Sequence, residues 1–169
     1  MKPHLLSLCC LALSALAPSQ TMAAESDLQS AYLARQSAAL EARAREMLAR
    51  DPLDEAALWY WGRQASGDAK ARSELMPRAR QCVEAKPGSA RCQHLLGILI
   101  GAELMDAGTL TAMRRAGEVR EQFERAAALA PQDYAMRAWL DPHKMRKTKC
   151  KAVRSGKIEV IAVGRWMAG

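Results

Sequence analysis

The chain has 169 residues and a formal net charge of +7, a length that fits one domain. One Phe and three Tyr stand beside abundant Ala, Leu, Arg and Glu, a composition that favours helices and argues against a β-sheet protein. Residues 25–140 carry 16 basic and 16 acidic side chains, whereas residues 141–169 carry eight and two. The basic character therefore belongs to the C-terminal tail, and the body is neutral.

The first 23 residues have the pattern of a secretory signal peptide. Lys2 precedes an apolar run from Leu5 to Ala17, and Thr21 and Ala23 supply the small residues of a cleavage site. The run is too short for a membrane anchor. We expect cleavage after Ala23 and a secreted or periplasmic protein; the alternative is a buried N-terminal helix.

The segment after the signal predicts one long helix. Ser26 or Asp27 is the candidate N-cap, the interior is rich in alanine and extends to Leu48, and Asp51-Pro52 ends it. Three similar short sequences mark the later helices. Each one ends a helix-like segment and is followed by a new helix-like segment. These sequences are Ala49 to Pro52, Glu84 to Pro87, and Leu129 to Pro131.

Two glycines follow apolar residues at the same offset in successive segments. Leu58 and Trp61 precede Gly62, and Leu95 and Leu96 precede Gly97, as where one helix crosses another closely. This pattern resembles the tetratricopeptide repeat. The resemblance covers residues 49–140 and implies an all-α, right-handed solenoid of antiparallel helix pairs over residues 24–140, with the first helix as a capping half-repeat.

The first unit extends from Glu55 to Pro87, with a turn at Ser66-Gly67-Asp68 and Pro77 marking a kink or a late start of its second helix. The second unit extends from Ala90 to Pro131 and contains about ten extra residues relative to the family. These either form a bulged loop around residues 106–109 or lengthen the hairpin, which would then bury Leu104, Leu110 and Met113.

A third unit starts at Tyr134 and breaks at Asp141-Pro142. The tail, residues 141–169, is expected to be poorly structured and foreign to the repeat, and we consider it a candidate for a truncated or frame-shifted gene end. The broken unit leaves an edge that suggests a homodimer as an alternative. This edge bears Tyr134, Met136, Trp139 and Leu140.

The resemblance places the binding surface on the first helix of each unit. The matching residues, which would line a concave groove for a protein or peptide, are Trp59, Arg63, Arg91, His94 and Ile98. Three consecutive aromatic residues, 59–61, cannot all face one way on a helix, so we expect at least one to be partly exposed. The alternative is that all three pack between helices.

Cys82 and Cys92 lie five residues before and five after Pro87. In an antiparallel helix pair, such positions face each other, which predicts either a disulfide or, at Cys82, a small buried thiol. A zinc site formed by both cysteines and His94 is a weaker alternative because it lacks a fourth ligand. If Cys82 and Cys92 form the disulfide, Cys150 would be unpaired.

No catalytic constellation, metal motif or cofactor motif is recognisable, so we expect a non-catalytic scaffold that binds a protein or peptide. Nucleic acid is not expected as a partner of a secreted chain. One alternative is an envelope-surface protein whose Lys-rich tail, residues 144–157, binds anionic lipid or polymer. Another is an enzyme with its site near Glu103 and Asp106.

Overall fold

The computed structural model describes residues 17–133 and Met136. All regular secondary structure among these residues is helix, and none of them belongs to a β-strand. This confirms the all-α prediction for the described part of the chain. Most of the predicted signal segment and the whole tail from residue 141 lie outside the described residues. The six helices are α1 (Ala17–Leu33), α2 (Ser37–Arg50), α3 (Glu55–Ala65), α4 (Ala69–Ala85), α5 (Ala90–Asp106) and α6 (Thr109–Leu129).

The prediction of one helix from residue 26 to residue 48 is wrong, because the chain turns between α1 and α2. Arg35 has a φ of 55°, its N–H donates to the Tyr32 carbonyl at 3.1 Å, and the Gln36 N–H donates to the Ala31 carbonyl at 2.9 Å. These two bonds form a Schellman termination with an arginine where glycine is usual. The candidate caps Ser26 and Asp27 lie inside α1. The predicted half-repeat is therefore a complete helix pair.

Three later helices begin at side-chain caps. Asp54 accepts from the Ala57 N–H at 2.8 Å, Asp68 from the Ala71 N–H at 2.9 Å, and Ser89 from the Cys92 N–H at 3.2 Å. The turn predicted at residues 66–68 is confirmed. The late start of α4 is wrong, since that helix begins at its Asp68 cap and continues through Pro77.

The helices make two kinds of packing contact. Each helix packs against the next one along the chain, and α3 packs in addition against both α1 and α5. The odd-numbered helices therefore form one layer, which we call the odd layer. On the other side, Arg45 of α2 donates to both carboxylate oxygens of Glu74 in α4, at 3.0 and 2.9 Å.

Four contacts that involve side chains join residues that are 33 to 35 positions apart. They are Trp59 to His94, Arg72 to Asp106, Lys86 to the Leu53 carbonyl, and Ser89 to Glu55. The separation is not the same throughout, since Arg45 of α2 and Glu74 of α4 are 29 positions apart.

Close approach at both glycines is confirmed. A Cβ atom at Gly62 would lie 2.2 Å from Cδ1 of Leu95. At Gly97 it would lie 2.9 Å from Cε1 of Phe123. Leu95 of α5 and Phe123 of α6 are both buried, so each glycine makes room for a core side chain of a neighbouring helix.

The extra residues of the second unit lengthen its hairpin. α5 ends at Asp106, α6 begins at Thr109, and Gly108 at the turn has a φ of 80°, a conformation that suits glycine. Leu104 is buried as expected, but Leu110 and Met113 are 75% and 70% exposed, so that part of the prediction is wrong. Both lie on a face of α6 that no described helix covers.

The edge predicted after Pro131 is partly covered by the chain itself. Met136 is 2% exposed and belongs to the hydrophobic core, so it is not a surface residue of a dimer edge. Tyr134, Trp139 and Leu140 lie outside the described residues, as does Cys150. Within the described part, no helix is both long and apolar enough to cross a lipid bilayer.

Candidate binding site

Trp59 is an interior residue of the odd layer. Its indole Nε1 donates to Nδ1 of His94 on α5 at 3.1 Å, and the two side chains are 8% and 0% exposed. The expectation of a partly exposed aromatic is wrong, because Trp59, Tyr60 and Trp61 are all buried. The physical reason is that α3 has packed neighbours in α1, α2, α4 and α5, so no side of it faces solvent widely.

The two predicted groove residues in the middle of α5 are also buried. Ile98 is 2% exposed, and the His94 ring lies 5.4 Å from the ring of Phe123 on α6. The long α5 and α6 pair provides this cover. Of the five residues expected to line an open groove, only Arg63 and Arg91 remain accessible, and both are half-buried.

Both arginines lie against the aromatic rings. The Arg63 guanidinium carbon is 4.5 Å from the centre of the Trp59 ring and 5.1 Å from that of Tyr32, and the Arg91 carbon is 5.8 Å from the Trp59 ring. Such stacking attracts a cation to the ring face and fixes the plane of the guanidinium. Arg91 also donates to Glu25 of α1 at 2.5 Å. We call these five residues the arginine-aromatic site.

The two arginines differ in their charge partners. Arg91 is ion-paired with Glu25. Burial lowers the pKa of Arg91, but the hydrogen bond that it donates to Glu25, together with nearby negative charges, raises the net pKa. Among the described residues, Arg63 has no carboxylate within the 4.0 Å that defines an ion pair. Arg63 therefore presents a stacked cation without an internal counter-charge.

Tyr60 adjoins the same site from α3. Its ring centre lies 4.9 Å from that of Trp59 and 5.7 Å from that of Tyr32. Burial raises the pKa of the Tyr60 hydroxyl, and the positive charge of Arg91 opposes this. Aromatic rings, tyrosine hydroxyls and arginine cations from α1, α3 and α5 therefore lie together at this site.

Sequence reasoning missed Tyr32 and Glu25. Both lie on α1, which the sequence presents as part of one continuous capping helix. Only the turn at Arg35 forms α1 and α2 into a pair that brings α1 against α3. Neither a glycine nor a proline marks that turn, so no signal in this stretch would have located these residues in the site.

Cys82 and Cys92 form a disulfide, with their Cα atoms 5.6 Å apart. Both cysteines are buried, and the bond links α4 to α5. The zinc alternative is wrong for this structure, since both sulfurs are bonded to each other and His94 accepts from Trp59. Among the described residues, no three His, Cys, Asp or Glu side chains are grouped as metal ligands.

The carboxylates considered for an enzyme site are engaged in ion pairs. Asp106 accepts from the buried Arg72, which also donates to the Ser66 carbonyl at 2.7 Å. Glu103 lies 3.6 Å from Arg115 of α6. This geometry matches carboxylates that tie helix ends together, and it brings neither side chain to the arginine-aromatic site.

Comparison with known proteins gave no match to a family model, to a curated protein or to a solved structure. The geometry of the chain itself is therefore the basis for its functional interpretation.

Proposed function

We propose that this protein is a non-catalytic interaction scaffold of the periplasm or cell envelope, in which a short right-handed solenoid of tetratricopeptide type holds a peptide or protein. The odd layer would form the concave face of the solenoid. The binding surface would be the arginine-aromatic site and the exposed parts of α1, α3 and α5 around it.

The spacing of the contacts between helix pairs supports the repeat architecture. Four contacts have a separation of 33 to 35 residues, which agrees with the tetratricopeptide period of about 34 residues. The pair formed by α1 and α2 adds a unit that the sequence did not suggest. Three stacked pairs meet the number that such solenoids usually need to be stable.

One observation carries the binding assignment. Three helices contribute to a surface where half-buried Arg63 and Arg91 lie on Trp59 and Tyr32. Arginine and large aromatic residues are the types most enriched where protein interfaces gain their binding energy. Because the arginines are already stacked, a partner would meet side chains that lose little freedom on binding.

Two features support an extracytoplasmic location. The first 23 residues have the charge order and small-residue site of a secretory signal. The disulfide between Cys82 and Cys92 is a bond that persists in oxidising compartments.

The proposal is tested by affinity capture with the tagged full-length chain from the periplasmic or secreted fraction. Arg63→Gln removes a site cation, and Arg120→Gln is the matched control, since Arg120 is an exposed arginine of α6 that pairs only with Glu124 among the described residues. The proposal predicts a partner that is retained by the control and lost by Arg63→Gln, with equal helicity by circular dichroism. Equal retention by both variants would refute the site.

The same capture tests the alternative in which the Lys-rich tail binds an anionic envelope component. A chain that lacks residues 141–169 keeps the arginine-aromatic site and loses a tail with eight basic and two acidic residues. The scaffold proposal predicts that this variant still captures the partner. Loss of the partner would favour the tail as the binding element.

A further inference from the structure

We propose that the arginine-aromatic site takes an acidic peptide segment, whose carboxylates pair with Arg63 and compete with Glu25 for Arg91. This inference rests on the proposed binding function and names the chemistry of the partner. It rests on the different charge partners of Arg63 and Arg91, two arginines that lie over the same Trp59 ring.

Arg63 is unusual among the arginines of the body. Four of the described arginines have no carboxylate within ion-pair distance, and three of them are exposed, so their guanidinium groups are solvated. These exposed residues are Arg35, Arg80 and Arg114. Arg63 alone among the described residues is half-buried, stacked on rings and without a carboxylate. A half-buried cation of this kind gains more from a carboxylate than an exposed one does.

The stacking also prepares Arg63 for a carboxylate. The guanidinium carbon lies over both the Trp59 and the Tyr32 ring, and the N–H donors of the group form the fork that matches two carboxylate oxygens. A bidentate pair uses these donors without breaking the contact with the rings. Side chains of glutamate or aspartate fit this geometry, whereas a neutral amide supplies only one acceptor oxygen.

Glu25 shows that the site accommodates a carboxylate at Arg91. Its Oε1 atom lies 2.5 Å from Nη2 of Arg91, and about a third of each side chain is exposed. The pair is therefore accessible to an incoming carboxylate. Because the pair is partly exposed to solvent, a ligand carboxylate is expected to replace Glu25 at modest cost.

The body of the chain carries no overall positive charge that could attract an acidic peptide. Residues 25–140 are neutral, so an attraction for acidic peptides within this part must come from a local site rather than from overall charge. The basic tail is a second source of attraction in the full-length chain. A test must therefore distinguish a local loss at Arg63 from a uniform loss of positive charge.

The test measures binding of two octapeptides to the full-length chain by isothermal calorimetry, one of alternating Glu and Ser and one of alternating Gln and Ser. Arg63→Gln and Arg120→Gln remove the same charge from the chain. We expect Arg63→Gln to weaken binding of the Glu peptide by about tenfold or more, as for loss of a charge-assisted pair. Arg120→Gln is expected to change it less than about twofold.

Two further variants make the result specific. Glu25→Gln removes the internal competitor and is expected to tighten binding of the Glu peptide by roughly threefold, as for a partly exposed ion pair. Arg63→Lys keeps the cation and loses the fork, so its affinity is expected to fall between wild type and Arg63→Gln. If Arg63→Gln fails to fold, as judged by circular dichroism, Arg63→Lys carries the comparison.

Equal binding of the Glu and Gln peptides, or equal losses in Arg63→Gln and Arg120→Gln, would overturn the inference. If neither peptide binds while an envelope partner is still captured through Arg63, the acidic ligand is refuted and the scaffold function stands. If the captured partner is also insensitive to Arg63→Gln, both proposals fail.

Discussion

The indole of Trp59 and the imidazole of His94 join two helices of the odd layer through a buried hydrogen bond. Nε1 of Trp59 donates to Nδ1 of His94 at 3.1 Å, across a separation of 35 residues. Because Arg63 and Arg91 lie on the same indole, this bond fixes the ring on which both cations stack. The interior contact and the surface site therefore depend on one side chain.

Replacement of Trp59 by Phe is predicted to destabilise the fold more than replacement of Trp61 by Phe. Both changes remove a similar volume from the core, and each indole carries a stacked arginine, Arg45 in the case of Trp61. The Trp61 N–H has no acceptor among the described residues, so only Trp59→Phe removes a hydrogen bond.

The expected difference is about 1–3 kcal/mol in the free energy of unfolding, the cost of an unmade buried hydrogen bond. Urea unfolding followed by circular dichroism measures it. Equal destabilisation by the two variants would mean that the bond from Trp59 to His94 adds no stability.

Gly97→Ala is predicted to destabilise the protein, although alanine is the better helix former. The new methyl group would lie 2.9 Å from the buried ring of Phe123 and 3.2 Å from Cβ of Gln122. Overpacking of this kind typically costs about 1–3 kcal/mol. Thermal unfolding is the measurement, and the variant is expected to have the lower Tm.

Gly117→Ala on α6 is the matched control for that substitution. No atom lies within 4 Å of the added Cβ, so the change is expected to stabilise the protein by about 0.5–1 kcal/mol through helix propensity alone. A Gly97→Ala variant as stable as the control would contradict the close contact between α5 and Phe123.

Reduction of the disulfide is predicted to lower the stability of the fold. Cys82 and Cys92 close a loop with a sequence separation of 10, for which the loop-entropy model gives about 3 kcal/mol. Thermal unfolding with and without reductant should therefore show a lower Tm for the reduced protein. A double variant with alanine at both positions should unfold at one temperature irrespective of reductant. A reductant effect that persists in this variant would assign it to other cysteines.

The stability of the fold is predicted to fall at alkaline pH as Tyr60 ionises. Burial raises the folded-state pKa of Tyr60 above the unfolded value of about 10. The stabilisation of the fold that comes from this raised pKa is therefore fully present below about pH 10 and is lost as the pH rises through the folded-state pKa of Tyr60. Absorbance of tyrosinate should show a component above the ordinary value that disappears in Tyr60→Phe and in denaturant. A titration unchanged by Tyr60→Phe would contradict the assignment.

The sequence predicted those features that depend on local chemistry. Gly62 and Gly97 mark contacts at which a larger residue would not fit, and Ser66-Gly67-Asp68 marks the turn before α4. These signals occur in the residue itself and its immediate neighbours. The predicted unit starts at Glu55 and Ala90 agree with the starts of α3 and α5, whereas the suggested late start of α4 was wrong.

The features that the sequence did not predict depend on tertiary neighbours. The left-handed conformation of Arg35 is held by two backbone bonds that any residue can make, so the break before α2 has no signature. That break creates α1, and α1 brings Glu25 and Tyr32 to the site. Of the five residues that the repeat pattern indicated, Arg63 and Arg91 are half-buried. The pattern did not predict the burial of Trp59, His94 and Ile98, which results from packing on several sides of α3 and α5.

The most direct test of binding at the arginine-aromatic site is a two-dimensional nitrogen–proton NMR titration of the full-length chain with its captured partner. The indole N–H of Trp59 and the Nε–H of Arg63 report from the site, and the Nε–H of Arg120 reports from the exposed face of α6. We predict that the Trp59 and Arg63 resonances shift in proportion to the bound fraction while that of Arg120 stays unchanged. Shifts confined to residues 141–169 or to α6, with Trp59 and Arg63 unperturbed, would contradict the proposed binding surface.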